Sequence, residues 1–307
     1  MRLCRICLRR GMLARFHARS PCRDPVGVFR PRTPLRCRFG VSARPTRFAD
    51  LRTRLATGLA LGGLTLGCVW AGGLWTAGLF ALAAAAMAWE IRRMAGARDR
   101  LVGALVLFAV AAAVLVTGLT LLRWGMALLA VAALFAWLVE RRGAALAAGQ
   151  MLPGLAMACI VALRADPAYG FEAVLWLFLV VIASDVGGYF GGRLIGGPKL
   201  WPRLSPKKTW AGSLAGMALA AILGALFSRW TTGTLVEAVA PVSALAALVA
   251  QGGDLAESAL KRRLGVKDAS QLLPGHGGVL DRLDGLMAAA LLSAAITFSR
   301  GASVFIW

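Results

Sequence analysis

From Leu55 onward, apolar runs of about 16–21 residues alternate with short polar breaks, close to the length that a hydrocarbon core demands of a helix. Nine such runs fall near residues 55–72, 74–90, 101–121, 124–139, 147–163, 172–190, 211–228, 234–252 and 283–299. They are too long for strands and show no period-2 alternation, and an open sheet cannot satisfy its backbone in lipid. The pattern predicts an all-α, polytopic integral membrane protein with about nine transmembrane helices. Only Ala71 to Leu74 separates the first two runs, so that boundary is soft.

Composition agrees. Of the 307 residues, 59% are hydrophobic and 16% charged, more apolar side chain than a soluble domain can bury. The formal charge of +21 raises nucleic-acid binding, but its distribution argues against that partner. Thirteen Arg lie between Arg2 and Arg47, against only Asp24 and Asp50. The remaining excess sits in short loops, as the positive-inside rule requires. With the start of the first run inside, the inside loops hold 16 Lys and Arg and the outside segments 4. The lipid bilayer is then the surrounding medium, with both large polar loops, 191–210 and 253–282, on the cytoplasmic face.

Residues 1–50 are Arg-rich, Pro-rich and without a spanning run. Two readings compete: a targeting segment of the organellar kind, and an unstructured extension translated from a start placed too far upstream. The second is preferred, and residues 51–307 form the membrane domain. Four of the six Cys (Cys4, Cys7, Cys22 and Cys37) lie in that head, and Cys68 and Cys159 sit in apolar runs. A disulfide framework is disfavoured. So is a zinc site, because the Cys4/Cys7 pair has no second pair at metal spacing.

The densest polar block is Gly253 to Gly285. Asp254 ends the eighth run, and Asp281 and Asp284 begin the ninth. Their i,i+3 spacing puts the last two on one helical face. Three carboxylates converging from two helix ends can hold a hard cation such as magnesium. Helix capping explains one Asp but not three. Lys261 lies seven residues after Asp254, on the same face if the helix continues. Lys261, Arg262, Arg263 and Lys267 suit a triphosphate, and equally suit anionic headgroups. Pro274 to Gly278 (PGHGG) reads as a tight turn with open amides, and it is not a Walker A loop. His276 alone is weak evidence for function.

The other large loop holds Ser205, Pro206, Lys207 and Lys208, with Thr209 placed to cap the next span. Upstream, Asp185 falls within or at the end of an apolar run, where a charge costs roughly 2.5–3.5 kcal/mol on insertion scales. A functional role is its default reading. Gly187/Gly191 and Gly188/Gly192 are small-xxx-small pairs that point to close helix packing. Interfacial position alone accounts for Glu90.

The run from Ser258 to Asp284 resembles the signature of the phosphatidate cytidylyltransferase (CDP-diacylglycerol synthase) family. The matching positions are Ser258, Lys261, Arg262, Lys267, Asp268, Pro274, Gly275, His276, Gly277, Gly278, Asp281, Arg282 and Asp284. The segments Asp185–Tyr189 and Ser205–Thr209 are similar to the family's upstream motifs, and so is the nine-span layout. Two positions depart: Ala211 stands where the family commonly has Glu, and Gly188 where Ala is usual.

The resemblance implies transfer of a cytidylyl group from CTP to phosphatidic acid, giving CDP-diacylglycerol and pyrophosphate at the inner (cytoplasmic) membrane. It assigns the metal to Asp254, Asp281 and Asp284, with Mg2+ and a second, monovalent cation such as K+. Lys261 and His276 join these as catalytic residues. Asp185, Ser205, Lys207, Lys208, Arg262, Lys267 and Arg282 are assigned to the substrates. A homodimer is an expected assembly. Two rivals remain: a transporter, for which no repeat between the halves is visible, and a CTP-dependent polyprenol kinase, which the full signature disfavours. A membrane scaffold leaves the polar block unexplained.

Overall fold

The computed structural model describes residues 47–97, 99–140, 144–233, 237–273 and 277–306. The rest of the expected head, with Arg98, Arg141, Arg142, Pro274, Gly275 and His276, lies outside the described residues. The element order is α1 (Arg47–Ala71), α2 (Gly73–Met94), α3 (Arg100–Gly118), α4 (Leu122–Glu140), α5 (Ala144–Arg164), α6 (Gly170–Leu194), β1 (Lys199–Trp201), β2 (Ser205–Thr209), α7 (Trp210–Thr232), α8 (Val239–Arg263) and α9 (Leu280–Arg300). The fold is an all-α, multi-pass membrane protein. Among the described residues eight helices, α2 to α9, are long and apolar enough to cross a membrane. The apolar part of α1, Leu55–Ala71, is shorter. That helix starts at Arg47, a few residues before the expected domain boundary.

The soft boundary between the first two runs is a break at Gly72, whose φ of 71° is left-handed. Side chains bond the carbonyls at the break. Thr76 Oγ1 donates to the Cys68 oxygen at 2.8 Å and Arg164 Nε to the Val69 oxygen at 2.7 Å. Asp99 caps α3, accepting from the Val102 amide at 3.0 Å. Thr209 caps α7 as expected, accepting from Gly212 at 3.1 Å.

Two features fit a bilayer. Large apolar side chains such as Leu82, Phe108 and Ile222 are exposed along the helix sides, where lipid replaces water. Exposed Trp residues gather at the two ends: Trp70, Trp75, Trp124 and Trp230 at one, and Trp89, Trp137, Trp201 and Trp210 at the other. The second end carries every large polar loop and is called the loop end here.

The glycine pairs of α6 act in packing, as expected. A Cβ on Gly187 would lie 2.9 Å from the Ala215 oxygen of α7, and one on Gly212 would lie 2.6 Å from the Gly188 oxygen. The hairpin β1–β2, antiparallel with Lys199 opposite Thr209, was not expected from the sequence. Its strands of 3 and 5 residues are too short to show a period. It carries Lys207 and Lys208 toward α8.

Candidate functional site

Helix α8 does not stop where its apolar run does. It continues to Arg263, which puts Gln251, Asp254, Glu257 and Lys261 at three- and four-residue spacing along one side. α9 begins at Leu280, so Asp281 and Asp284 occupy its first turns. The helices approach closely at Gly253, where a Cβ would lie 2.8 Å from the Asp284 carbonyl oxygen.

This approach gathers three carboxylates. Oxygens of Asp254, Glu257 and Asp284 all lie within 4.8 Å of one another. Glu257 Oε2 is 2.6 Å from Lys261 Nζ, whereas its Oε1 is buried with no hydrogen-bond partner among the described residues. An orphaned oxygen on one of three clustered carboxylates is an arrangement that a bound cation would relieve.

Asp281 is used differently. Its Oδ1 accepts from Lys261 Nζ at 2.8 Å, and its Oδ2 accepts from the amides of Ala269 at 3.2 Å and Gly278 at 3.1 Å. It therefore ties both limbs of the 264–279 loop to α9. Of the expected trio, Asp254 and Asp284 stand together with Glu257, whereas Asp281 holds the loop and Lys261.

Lys208 reaches from β2 to pair with Asp254, and lies 3.4 Å from the Gln251 oxygen. Four carboxylates (Asp254, Glu257, Asp281 and Asp284) thus face two ammonium groups (Lys208 and Lys261). The formal excess is two negative charges, the complement of one divalent cation. Carboxylate oxygens are hard donors of the kind that magnesium takes, with water and substrate phosphates at its other positions.

Two cavities adjoin the carboxylates. One, of about 210 Å³, lies between α6, α7, β2 and α8 and is lined by Ser184, Asp185, Lys207, Lys208, Ser213 and Gln251 among others. Gln251 Nε2 donates to Ser184 Oγ at 2.9 Å, and Ser213 Oγ donates to Gln251 Oε1. The other, of about 250 Å³, is walled by Gly149, Leu152, Leu260, Met287 and Leu291, with Glu257 and Asp284 in its lining.

The remaining expected residues are dispersed. Arg262 and Arg282 are exposed at the loop end. Lys267 is exposed in a separate cavity of about 710 Å³ beside Trp89 and Arg93. Ser205 is half-buried in β2 and is not in the wall that Lys207 and Lys208 share. His276 lies outside the described residues.

Comparison with known proteins agrees with this geometry. The model of the cytidylyltransferase family matches residues 52–299, which includes both polar loops and all the carboxylates above. The chain belongs to the cytidylyltransferase family. A Brucella suis protein named phosphatidate cytidylyltransferase is 47% identical over 146 residues, 48% of this chain and 54% of that protein. Proteins of the same name from Helicobacter pylori and Haemophilus influenzae are 44% identical over 141 and 129 residues. These cover 46% and 40% of this chain, and 52% and 45% of those proteins. The chain spans about half the length of the curated relatives it matches.

Within this family architecture, three residues that sequence reasoning passed over take part in the site. Glu257 follows Asp254 by three residues, so the spacing that grouped Asp281 with Asp284 applied to it as well. It escaped notice because a Glu four residues before Lys261 reads as an ordinary helix ion pair. Gln251 precedes Asp254 by the same interval. Glu90 is fully buried and bonded to the start of α9. Nothing local to α2 signals that contact.

Proposed function

We propose that the chain transfers the cytidylyl group of CTP to phosphatidate, releasing pyrophosphate and forming CDP-diacylglycerol. The observation that carries this reading is the carboxylate cluster. It has a formal excess of two negative charges and lies between a polar cavity containing two lysines and an apolar groove. The names of the relatives, each matched over about half its length, support it.

The polar cavity suits the nucleotide. Lys207 and Lys208 supply cations for the triphosphate, and the Ser184–Gln251–Ser213 cluster offers donors and acceptors. The apolar groove suits the acyl chains, which would bring the lipid phosphate up to Glu257 and Asp284. Asp254, Glu257 and Asp284 would hold Mg2+, which when bound neutralises phosphate charge and polarises the reacting phosphoryl group. A second, monovalent cation such as K+ belongs to the same proposal, and would compete with the Lys261 ammonium for the Glu257 and Asp281 oxygens.

An ionised phosphatidate oxygen attacks the α-phosphorus of CTP and forms the new P–O bond. The bond from that phosphorus to the bridging oxygen breaks, and pyrophosphate departs with the electron pair. The nucleophile is already an anion near neutral pH, so no strong general base is needed. Positioning and charge neutralisation do most of the work. Lys208 leaves Asp254 for a triphosphate oxygen, and Lys261 keeps Glu257 and Asp281 oriented. His276 would orient a phosphate or carry a proton. Asp185 lies with Lys207 and Lys208 in the nucleotide cavity, whereas Arg262, Lys267 and Arg282 stay at the rim and serve approach of the anion.

The loop end would face the cytoplasm, in the inner membrane of a bacterial cell. Single-Cys reporters at Leu200 and Gln271 should be labelled only when that face is accessible, and labelling of intact cells by an impermeant reagent would reverse the assignment. Assembly as a homodimer belongs to the same proposal. The activity is tested with purified protein, phosphatidate and each nucleoside triphosphate in turn. Pyrophosphate release should require phosphatidate and CTP, and equal release from all four triphosphates would refute the nucleotide assignment.

A further inference from the structure

We infer that Glu90 of α2 is the positioning residue that seats the first turn of α9, and thereby sets Asp284 for cation binding and Asp281 for its grip on the loop. The inference rests on the metal-site reading above.

Glu90 lies near the loop end of α2 and is 0% exposed. A carboxylate is seldom buried so completely without an opposite charge or several donors. Glu90 has the donors. Its Oε1 accepts from the Val279 amide at 2.9 Å and from the Ser270 hydroxyl at 2.5 Å, and its Oε2 accepts from the Leu280 amide at 2.7 Å. Val279 and Leu280 open α9, and Val279, at the N-cap position, supplies no side-chain cap. The exposed amides at a helix start carry partial positive charge and lack intrahelical acceptors. Glu90 fills that role from a distant point in the chain, capping α9 with a carboxylate from another helix.

The seat holds more than a helix end. Ser270 belongs to the 264–279 loop, so Glu90 joins that loop to α9 at the amides just before Asp281. Asp281 then grips the loop a second time, through Ala269 and Gly278. Gly278 is where the two grips meet. A Cβ there would lie 2.8 Å from Glu90 Oε1 and 3.1 Å from Asp281 Oδ2, so only glycine lets both carboxylates reach the backbone. Its neighbour Gly277, with φ of 88°, turns the chain into this position. Gly277 and Gly278 are therefore explained by the seat.

One further turn along α9, Asp284 meets Asp254 and Glu257. A rotation or slip of the helix start would move Asp284 relative to two carboxylates fixed on α8. Glu90 touches none of the three, so its effect on a cation is indirect.

The test is Mn2+ binding to purified protein in detergent, read by electron paramagnetic resonance, for wild type, Glu90→Gln and Ser243→Ala. Glutamine keeps the shape but presents an amide NH2 to one of the α9 amides and removes the charge. Loss of an outer support for metal ligands typically weakens a metal by about 10- to 100-fold, and about tenfold weaker Mn2+ binding is expected for Glu90→Gln. Hydrogen exchange at Val279 and Leu280 should accelerate in the same variant. Ser243 is buried, accepts from Trp176 Nε1 at 2.9 Å and lies far from the loop end, so it controls for general destabilisation. Its alanine variant should bind Mn2+ as wild type does. Unchanged Mn2+ affinity in Glu90→Gln, or equal losses in both variants, would overturn the inference. Wild type that binds no Mn2+ would overturn it together with the metal-site reading, while the pyrophosphate assay separately reports on the activity.

Discussion

The cavity beside Asp254 is lined by Ser184, Asp185, Lys207, Lys208, Ser213 and Gln251, whereas the groove beside Glu257 and Asp284 is walled by Leu152, Leu260, Met287 and Leu291. The carboxylates stand where the polar wall ends and the apolar wall begins. An enzyme joining a soluble nucleotide to a membrane lipid has to desolvate both at one point without mixing their environments. Placing the charged groups at a boundary between two walls is a physical solution to that problem. α8 supplies it by running on past its apolar stretch, so that one helix contributes Gln251 and Asp254 toward one wall, and Glu257 and Leu260 toward the other.

The largest effect should come from the boundary itself. Asp254→Asn, Glu257→Gln and Asp284→Asn each remove a charge without changing shape. Supports outside a metal's ligands cost up to about 100-fold, so each direct ligand should cost at least that in kcat/KM. Raised magnesium should recover part of the activity. Asp281→Asn should differ in kind: melting temperature falls because the 264–279 loop loses its anchor, and magnesium recovers little. If Asp281→Asn behaves like the other three and keeps its stability, Asp281 is a ligand after all.

Next, the two walls should separate by substrate. Lys208→Ala loses a charge-assisted contact worth about 1.4 kcal/mol, or about tenfold, and should raise KM for CTP while leaving KM for phosphatidate in place. Met287→Trp crowds the groove and should do the reverse. Steady-state kinetics with each substrate varied separately checks both. Parallel changes in both constants for either variant would dissolve the distinction between the walls.

The smallest effect is expected at the rim. Arg262→Ala, at an exposed position, should change kcat/KM by no more than about twofold, the range of ordinary surface substitutions.

Much of this was legible in the sequence because membranes impose length. Among the described residues all nine helices overlap the apolar runs, and eight of them have the length that about 20 residues of helix need to cross lipid. Thr209 as a cap and the α6 glycines as packing residues were legible for similarly local reasons. That Asp254 and Asp284 would stand close together was legible from their place at facing helix ends. That Glu257 rather than Asp281 stands beside them was not, because it depends on how α8 and α9 rotate against each other, and Lys261 pairs with both carboxylates. Glu90 was hidden for the same reason: a Glu at a membrane interface is unremarkable until its partners, some 180 residues away, are known. The hairpin that delivers Lys208 was too short to leave a pattern.

The proposed reaction is defined by which phosphorus is attacked. Purified protein in vesicles containing phosphatidate should be given CTP labelled at the α-phosphate or, separately, at the γ-phosphate, with magnesium present. The α label should pass into the lipid and the γ label should be released as pyrophosphate. A γ label recovered in the lipid would make the protein a kinase, and no label in the lipid from either nucleotide would contradict the transfer reaction altogether.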